Sequence, residues 1–306
     1  MKVNRSWQEM QDGTRVFLYT WIPTEEIKGI VQIVHGMAEH ALRYERLAWE
    51  MVEQGYAVYA HDQRGHGQTA RSIENLGNTS GADFHVWVDD VHQIQKQICS
   101  EHDHGIPRYL FGHSMGSFIA LRYSQLHGHH INGLILSGSN GKPSKLLTIA
   151  TMIANMQINY YGPEHPSRLL DKLLFGRFNS TFEPSRTRFD WLSRDSQEVD
   201  AYIADPYCGF VCSALFYRDF FEGLHQTYRT REMKKLPRSL PVYILSGDHD
   251  PVGECGKGVA RLIKGFNQLG LKNVRFMIYK NARHELINDL QRKQVSVDLL
   301  SWLGEI

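Results

Sequence analysis

Two rhythms of apolar positions take turns along this chain. Arg15–Trp21 alternates in period two and predicts a strand. Ile30–Val34 is a β-branched run that predicts a buried strand. Leu42–Gln54 has helical spacing and stops at Gly55, a natural C-cap. Tyr56–Ala60 predicts a strand, Phe84–His102 an amphipathic helix, Arg108–Phe111 a short buried strand, Ser117–Tyr123 a helix, and Ile131–Leu136 a further strand. After Ser139 the alternation lapses. From about Gly141 to Arg238 the pattern is mainly helical and rich in Met, Tyr and Phe. It resumes with a strand at Leu240–Leu245, a helix at Val259–Leu269 ended by Gly270, a strand at Val274–Tyr279 and a terminal helix at Leu290–Leu303.

Alternation of this kind predicts an α/β fold, a mostly parallel sheet with helices on both faces. One helical block interrupts it, which divides the chain into a first core segment 1–140, an inserted cap 141–238 and a second core segment 239–306. In such sheets active groups gather in loops at the carboxyl ends of the strands, and the insertion starts straight after one of them. The cap is therefore expected to lie over those ends and to shape a pocket. Its methionines and aromatics suit an irregular apolar pocket, although the stripe Ile149, Met152, Ile153 and Met156 reads first as core.

Composition narrows the setting more than the chemistry. With 306 residues the chain can hold one large domain with an insertion. A formal net charge of +1 gives no reason to expect nucleic acid as a partner. The N-terminal stretch Met1–Met10 lacks the apolar core of a signal peptide, and no run reaches the roughly 18 apolar residues of a membrane span. Cys99, Cys208, Cys212 and Cys255 are scattered, as expected of reduced thiols in a cytoplasm. Cys208 and Cys212 are expected on one face of a helix, as core rather than as metal ligands.

The most informative stretch is Gly112-His113-Ser114-Met115-Gly116, set between a predicted strand and a predicted helix. Its glycines permit a turn sharp enough to thrust Ser114 clear of the backbone, and the Met115 amide then opens a helix, where free N–H groups favour negative charge. A serine hydroxyl needs a base to activate it and a carboxylate to orient that base. Of the 16 histidines, only His284 follows the loop Ser246-Gly247-Asp248-His249-Asp250, and it too comes after a predicted strand. Asp248 and Asp250 are both candidates for the acid. Asp250 is preferred because it lies further out, where the loop can turn toward the elbow. The oxyanion needs two amides: Met115 supplies one, and Met37, in His35-Gly36-Met37-Ala38-Glu39-His40, is the candidate for the other. Asp62-Gln63-Arg64-Gly65-His66-Gly67 lacks a P-loop lysine and is expected to brace that loop. The remaining histidines, including His127, His129 and His130, are expected in solvated loops.

Together these segments resemble the α/β-hydrolase superfamily and, more narrowly, its monoacylglycerol lipase and lysophospholipase group of serine hydrolases. His35–His40 is the most discriminating match. The resemblance implies a triad of Ser114, Asp250 and His284, oxyanion amides from Met37 and Met115, hydrolysis of carboxylic esters with an acyl chain under the cap, and no cofactor or metal. The expected partner is a small acyl ester, with neither nucleic acid nor an integral membrane segment. Transient contact of the cap with a membrane surface stays open. So do an aminopeptidase on the same scaffold, which would need cap acids such as Glu164, Asp171, Glu183 or Asp205 to hold an amine, and a binding protein without turnover.

Overall fold

The computed structural model describes residues 2–144 and 146–306. Met1, inside the first expected core segment, and Lys145, inside the expected cap, lie outside them. Eight strands form one sheet: β1 (Lys2–Glu9), β2 (Arg15–Ile22), β3 (Gly29–Val34), β4 (Tyr56–Asp62), β5 (Arg108–His113), β6 (Gly133–Ser137), β7 (Val242–Gly247) and β8 (Val274–Tyr279). Their spatial order is β1-β2-β4-β3-β5-β6-β7-β8. Only the pairings of β2, with β1 and with β4, are antiparallel. From β4 to β8 every neighbour is parallel.

Parallel strands need covered faces, and the central strands are accordingly buried and mostly apolar. Every residue of β3, β4 and β6 is buried. One face carries α2 (Phe84–Glu101) and α3 (Met115–His127), whose Trp87, Val88, Ile119 and Leu121 share a core with Leu110 and Leu134. The other carries α1 (Glu45–Glu53) and the terminal helix, numbered α10 below, at Arg292–Glu305, with Met51, Leu299 and Trp302 packed on Phe111 and Tyr243. β1 has no counterpart in the sequence reading. Lys-Val-Asn-Arg-Ser-Trp-Gln-Glu is polar and largely exposed, and it is held as a strand by its ladder to β2.

Between β6 and β7 lie α4 (Leu146–Tyr161), α5 (Arg168–Phe175), α6 (Ser196–Ala204), α7 (Ala214–Thr227) and α8 (Thr230–Met233); α9 (Lys257–Leu269) follows β7. Phe216, Phe220 and Leu224 of α7 belong to the same core as α2 and α3, so this end of the insertion is fused to the sheet's own helical layer. α4 behaves differently. It is apolar on nearly every side, yet Ala154 is its only buried residue among those described. The stripe expected as core divides: Ile153 packs inward, while Met152 is 62% and Met156 70% exposed. Among the described residues α4 packs chiefly on α7 and α5, and the side chains turned from them stay exposed. Cys208 and Cys212 also depart from expectation. They lie in the irregular link between α6 and α7 rather than on a helix, and all four cysteines are free.

Candidate active site

Ser114 caps α3 with φ +51° and ψ −121°, a backbone that side chains other than glycine rarely adopt. Both glycines of the elbow are required by close approach. A Cβ on Gly116 would stand 2.1 Å from the Val34 carbonyl oxygen, and one on Gly112 would stand 2.4 Å from that of Gly116. The Ser114 amide donates to the Ser137 carbonyl at 2.9 Å, which ties the elbow to β6. Its Oγ makes no hydrogen bond among the described residues and opens into a cavity of about 730 Å³.

His284 borders the same cavity. Its ring lies against Gly138, the residue after Ser137, close enough that a Cβ there would meet His284 Cε1 at 2.7 Å. Nδ1 is 2.9 Å from Asp250 Oδ1. The same Oδ1 accepts the Val252 amide, and Asp250 is fully buried. Asp248 shares no hydrogen bond with His284 among the described residues; its amide donates to Tyr279 on the far side of the loop. Burial works against charge on His284, but the Asp250 carboxylate outweighs it and holds the imidazole above the ordinary value of 6.5.

Met37 and Met115 both line the cavity, and neither amide donates to another group among the described residues. Gly36 brings its loop onto the serine: a Cβ there would lie 3.3 Å from Ser114 Cβ. Two neutral histidines fix this loop. His35 Nδ1 donates to the Gly36 carbonyl, and its Nε2 accepts the Gln63 amide at 2.9 Å. His66 Nδ1 donates to the Arg64 carbonyl, and its Nε2 accepts the Ala38 amide at 3.2 Å. Asp62 Oδ1 accepts the Ala41 amide at 2.8 Å. The Asp62–Gly67 turn thus braces the loop, as the sequence reading expects.

Other features escape that reading. His35, His61, His66 and His113 are buried rather than solvated; burial holds His66 down at about 4 and His61 at about 3. His127 closes α3 half-buried instead of lying in a loop. Next to the proposed base, Glu285 accepts both terminal nitrogens of Arg43, which also donates to Glu39. Glu39 Oε1 in turn accepts the Gly36 amide at 2.5 Å and the Tyr44 hydroxyl at 2.8 Å. One buried cation therefore joins the Gly36 loop to the histidine loop. Burial raises both carboxyls, but the charge of Arg43 overcomes this at Glu285, held down at about 2, and not at Glu39, which stays above its ordinary value. Glu39 and Glu285 stand beside motif residues, and Arg43 lies four residues beyond Glu39, but their mutual pairing has no signature in sequence.

The insertion completes the walls. Leu147, Ile153, Phe210, Phe220 and Leu224 form an apolar side. The segment ahead of α6 is bonded to the histidine loop: the amides of His284 and Glu285 donate to the Trp191 and Leu192 carbonyls, and Arg283 donates to those of Asp190 and Ser193.

Comparison with known proteins agrees with this geometry. A family model described as serine aminopeptidase, S33, matches residues 25–291. The monoglyceride lipase of Saccharomyces cerevisiae is 34% identical, over 99% of this chain and 96% of its own. A probable lysophospholipase L2 of Haemophilus influenzae is 33% identical, over 87% of this chain and 80% of its own. A thermostable carboxyl esterase from Bacillus coagulans, solved with glycerol, superposes with a TM-score of 0.92 at 29% identity, over 100% of this chain and 99% of its own. The chain belongs to the α/β-hydrolases of the serine aminopeptidase S33 family, in the monoacylglycerol lipase and lysophospholipase group, and is a serine-type ester hydrolase.

Proposed function

We propose that this enzyme cleaves monoacylglycerols or lysophospholipids through an acyl-enzyme, with Ser114 as nucleophile, His284 as base, Asp250 as the acid that orients it, and the Met37 and Met115 amides as oxyanion donors. The observation that carries the reading is one cavity onto which Ser114, His284 and two unpaired amides open beside an apolar wall. Its volume suits a small ligand with an acyl chain. His284 removes the Ser114 proton as the hydroxyl attacks the ester carbonyl, then returns it to the departing alcohol. Asp250 fixes the tautomer that leaves Nε2 free and stabilises the imidazolium. Water activated by His284 then releases the fatty acid.

An aminopeptidase would need an unpaired acid to hold the substrate amine. Of Glu164, Asp171, Glu183 and Asp205, only Asp171 borders the cavity. There Arg188 offsets its charge and the Tyr217 hydroxyl donates to it. This favours esters. The set of reacting groups likewise weighs against a binding protein without turnover.

The apolar wall that residues of 141–238 set over Ser114 supports reading that stretch as a cap. The outer face of α4, with Met152, Met156 and Tyr160 all more than half exposed, supports transient contact with a lipid surface. Among the described residues, no helix is long and apolar enough to cross a membrane. Free thiols support a reducing, cytoplasmic setting.

The test is labelling by a fluorophosphonate probe, beside Ser114→Ala, with p-nitrophenyl esters of graded chain length, monoacylglycerols and aminoacyl anilides. Labelling that vanishes in the variant, with turnover of long-chain esters, is the expected result. Labelling that survives in Ser114→Ala, or a preference for the anilides, would overturn the assignment.

A further inference from the structure

Three histidines meet at the end of α3 remote from Ser114. His92 of α2 stacks on His127, with ring centroids 3.7 Å apart and planes 5° apart. His130 closes the short 3-10 turn Gly128–His130, its ring 5.5 Å from that of His92. One nitrogen from each imidazole lies within 4.8 Å of the other two. Other buried rings, those of His35, His66, His113 and His284, have protein partners; His61 has an unpartnered Nδ1 but, among the described residues, no second imidazole stacked on it. Among the described residues, the side chains of His92, His127 and His130 make no hydrogen bond, and His92 Nδ1 is sealed from solvent without a partner. A buried imidazole nitrogen left unpaired is costly and calls for an explanation. Two rings stacked this closely repel if both are charged, so they are most stable neutral, the state in which imidazole ligates a metal.

We propose that His92, His127 and His130 form a binding site for a divalent transition metal of the zinc class. Imidazole donors suit Zn²⁺, Ni²⁺ and Cu²⁺ rather than Ca²⁺ or Mg²⁺. Binding opens the stack: the His92 and His127 rings turn by tens of degrees from their parallel planes so that their in-plane lone pairs converge on one ion at about 2.0–2.1 Å, with water in the fourth position. The site lies at the C-terminus of α3, where the helix dipole favours a cation. His127 is the thirteenth residue of the helix that Ser114 caps, about 20 Å from it at 1.5 Å per residue. None of the three histidines borders the active-site cavity. The ion is a staple between α2 and the α3–β6 connection, not a participant in ester cleavage, which is why ester chemistry alone gives no reason to expect it.

The experiment uses the full chain stripped with EDTA and dialysed. Zn²⁺ is titrated calorimetrically and melting is followed with and without it, for the native protein, His92→Gln, and the pair His127→Gln with His130→Gln. The expected result is one saturable ion per chain, a raised Tm, and at least about tenfold weaker binding in both variants, with hydrolysis of a soluble ester by the metal-free proteins unchanged. Absence of saturable binding, or equal binding by native protein and variants, would overturn the site. Co²⁺ provides a check that needs no variant. A tetrahedral spectrum without a thiolate charge-transfer band supports three imidazoles, whereas such a band places the ion at the other cluster, His40, Asp205 and Cys208, and refutes the proposal.

Discussion

Arg43 and Glu285 meet through two parallel hydrogen bonds of 2.6 Å, with both side chains nearly closed to solvent. The same guanidinium serves Glu39 at 2.8 Å, so a single cation balances two buried carboxylates. Replacing Arg43 with methionine leaves both without a balancing cation, and the cost of breaking such an arrangement is about 3–5 kcal/mol. Urea denaturation of Arg43→Met is expected to show a loss of that size at pH 7. The deficit narrows as the pH is lowered and the carboxylates take up protons. Arg43→Lys recovers only part, because an ammonium cannot reproduce the two-pronged contact.

The pH dependence of kcat/KM reads the His284–Asp250 pair. A general base works in its neutral form, and His284 is held above 6.5. The rate is therefore expected to plateau above that raised pKa and to fall tenfold per unit below it, with the acid limb above 6.5. Asp250→Asn should move the limb down and lower kcat by about 10⁴-fold. Stability runs the other way. A raised pKa in the folded state means that the pair's contribution is complete below the unfolded value and lost as pH rises through the folded one. The difference in unfolding free energy between the native protein and Asp250→Asn should shrink across that interval.

Positive φ at Ser114 makes a second comparison informative. Ser114→Ala removes the hydroxyl and keeps the unfavourable backbone, whereas Ser114→Gly removes both. Both variants should be inactive. Glycine should nevertheless melt higher than alanine, by about 1 kcal/mol in unfolding free energy once its greater chain entropy is counted. A glycine variant less stable than alanine would mean that the elbow carries no strain.

The exposed side of α4 predicts a split between substrates. Met152→Asp with Met156→Asp should leave turnover of p-nitrophenyl butyrate in solution within about twofold, since these side chains project away from the cavity. The pair should slow hydrolysis of monoacylglycerol presented in vesicles and weaken vesicle co-sedimentation. Equal losses on both substrates would indicate damage to the pocket instead.

Sequence alone carries much of the proposed site because each of its candidate reacting residues stands where a periodic signal breaks. Ser114 follows a strand at a glycine turn, and Asp250 and His284 each follow the end of a strand. What stays hidden is satisfied by partners far away in the chain. β1 reads as a polar stretch because its strand character comes from the β2 ladder. His35 and His66 read as surface histidines because the backbone groups that satisfy them come from other loops. α4 reads as core because its composition is that of a buried helix, and composition does not reveal that, among the described residues, it packs chiefly on α7 and α5 and leaves Met152 and Met156 exposed. The link bearing Cys208 and Cys212 reads as helix because spacing alone does not reveal that its hydrogen bonds go elsewhere, as when Gly209 donates to the Ala38 carbonyl.

The bonds that Asp190, Trp191, Leu192 and Ser193 accept from the loop of His284 tie that part of the insertion to the imidazole's own backbone. The proposed base thus moves only together with this segment, and the shape of the pocket wall and the placing of the imidazole are set by one shared group of backbone bonds.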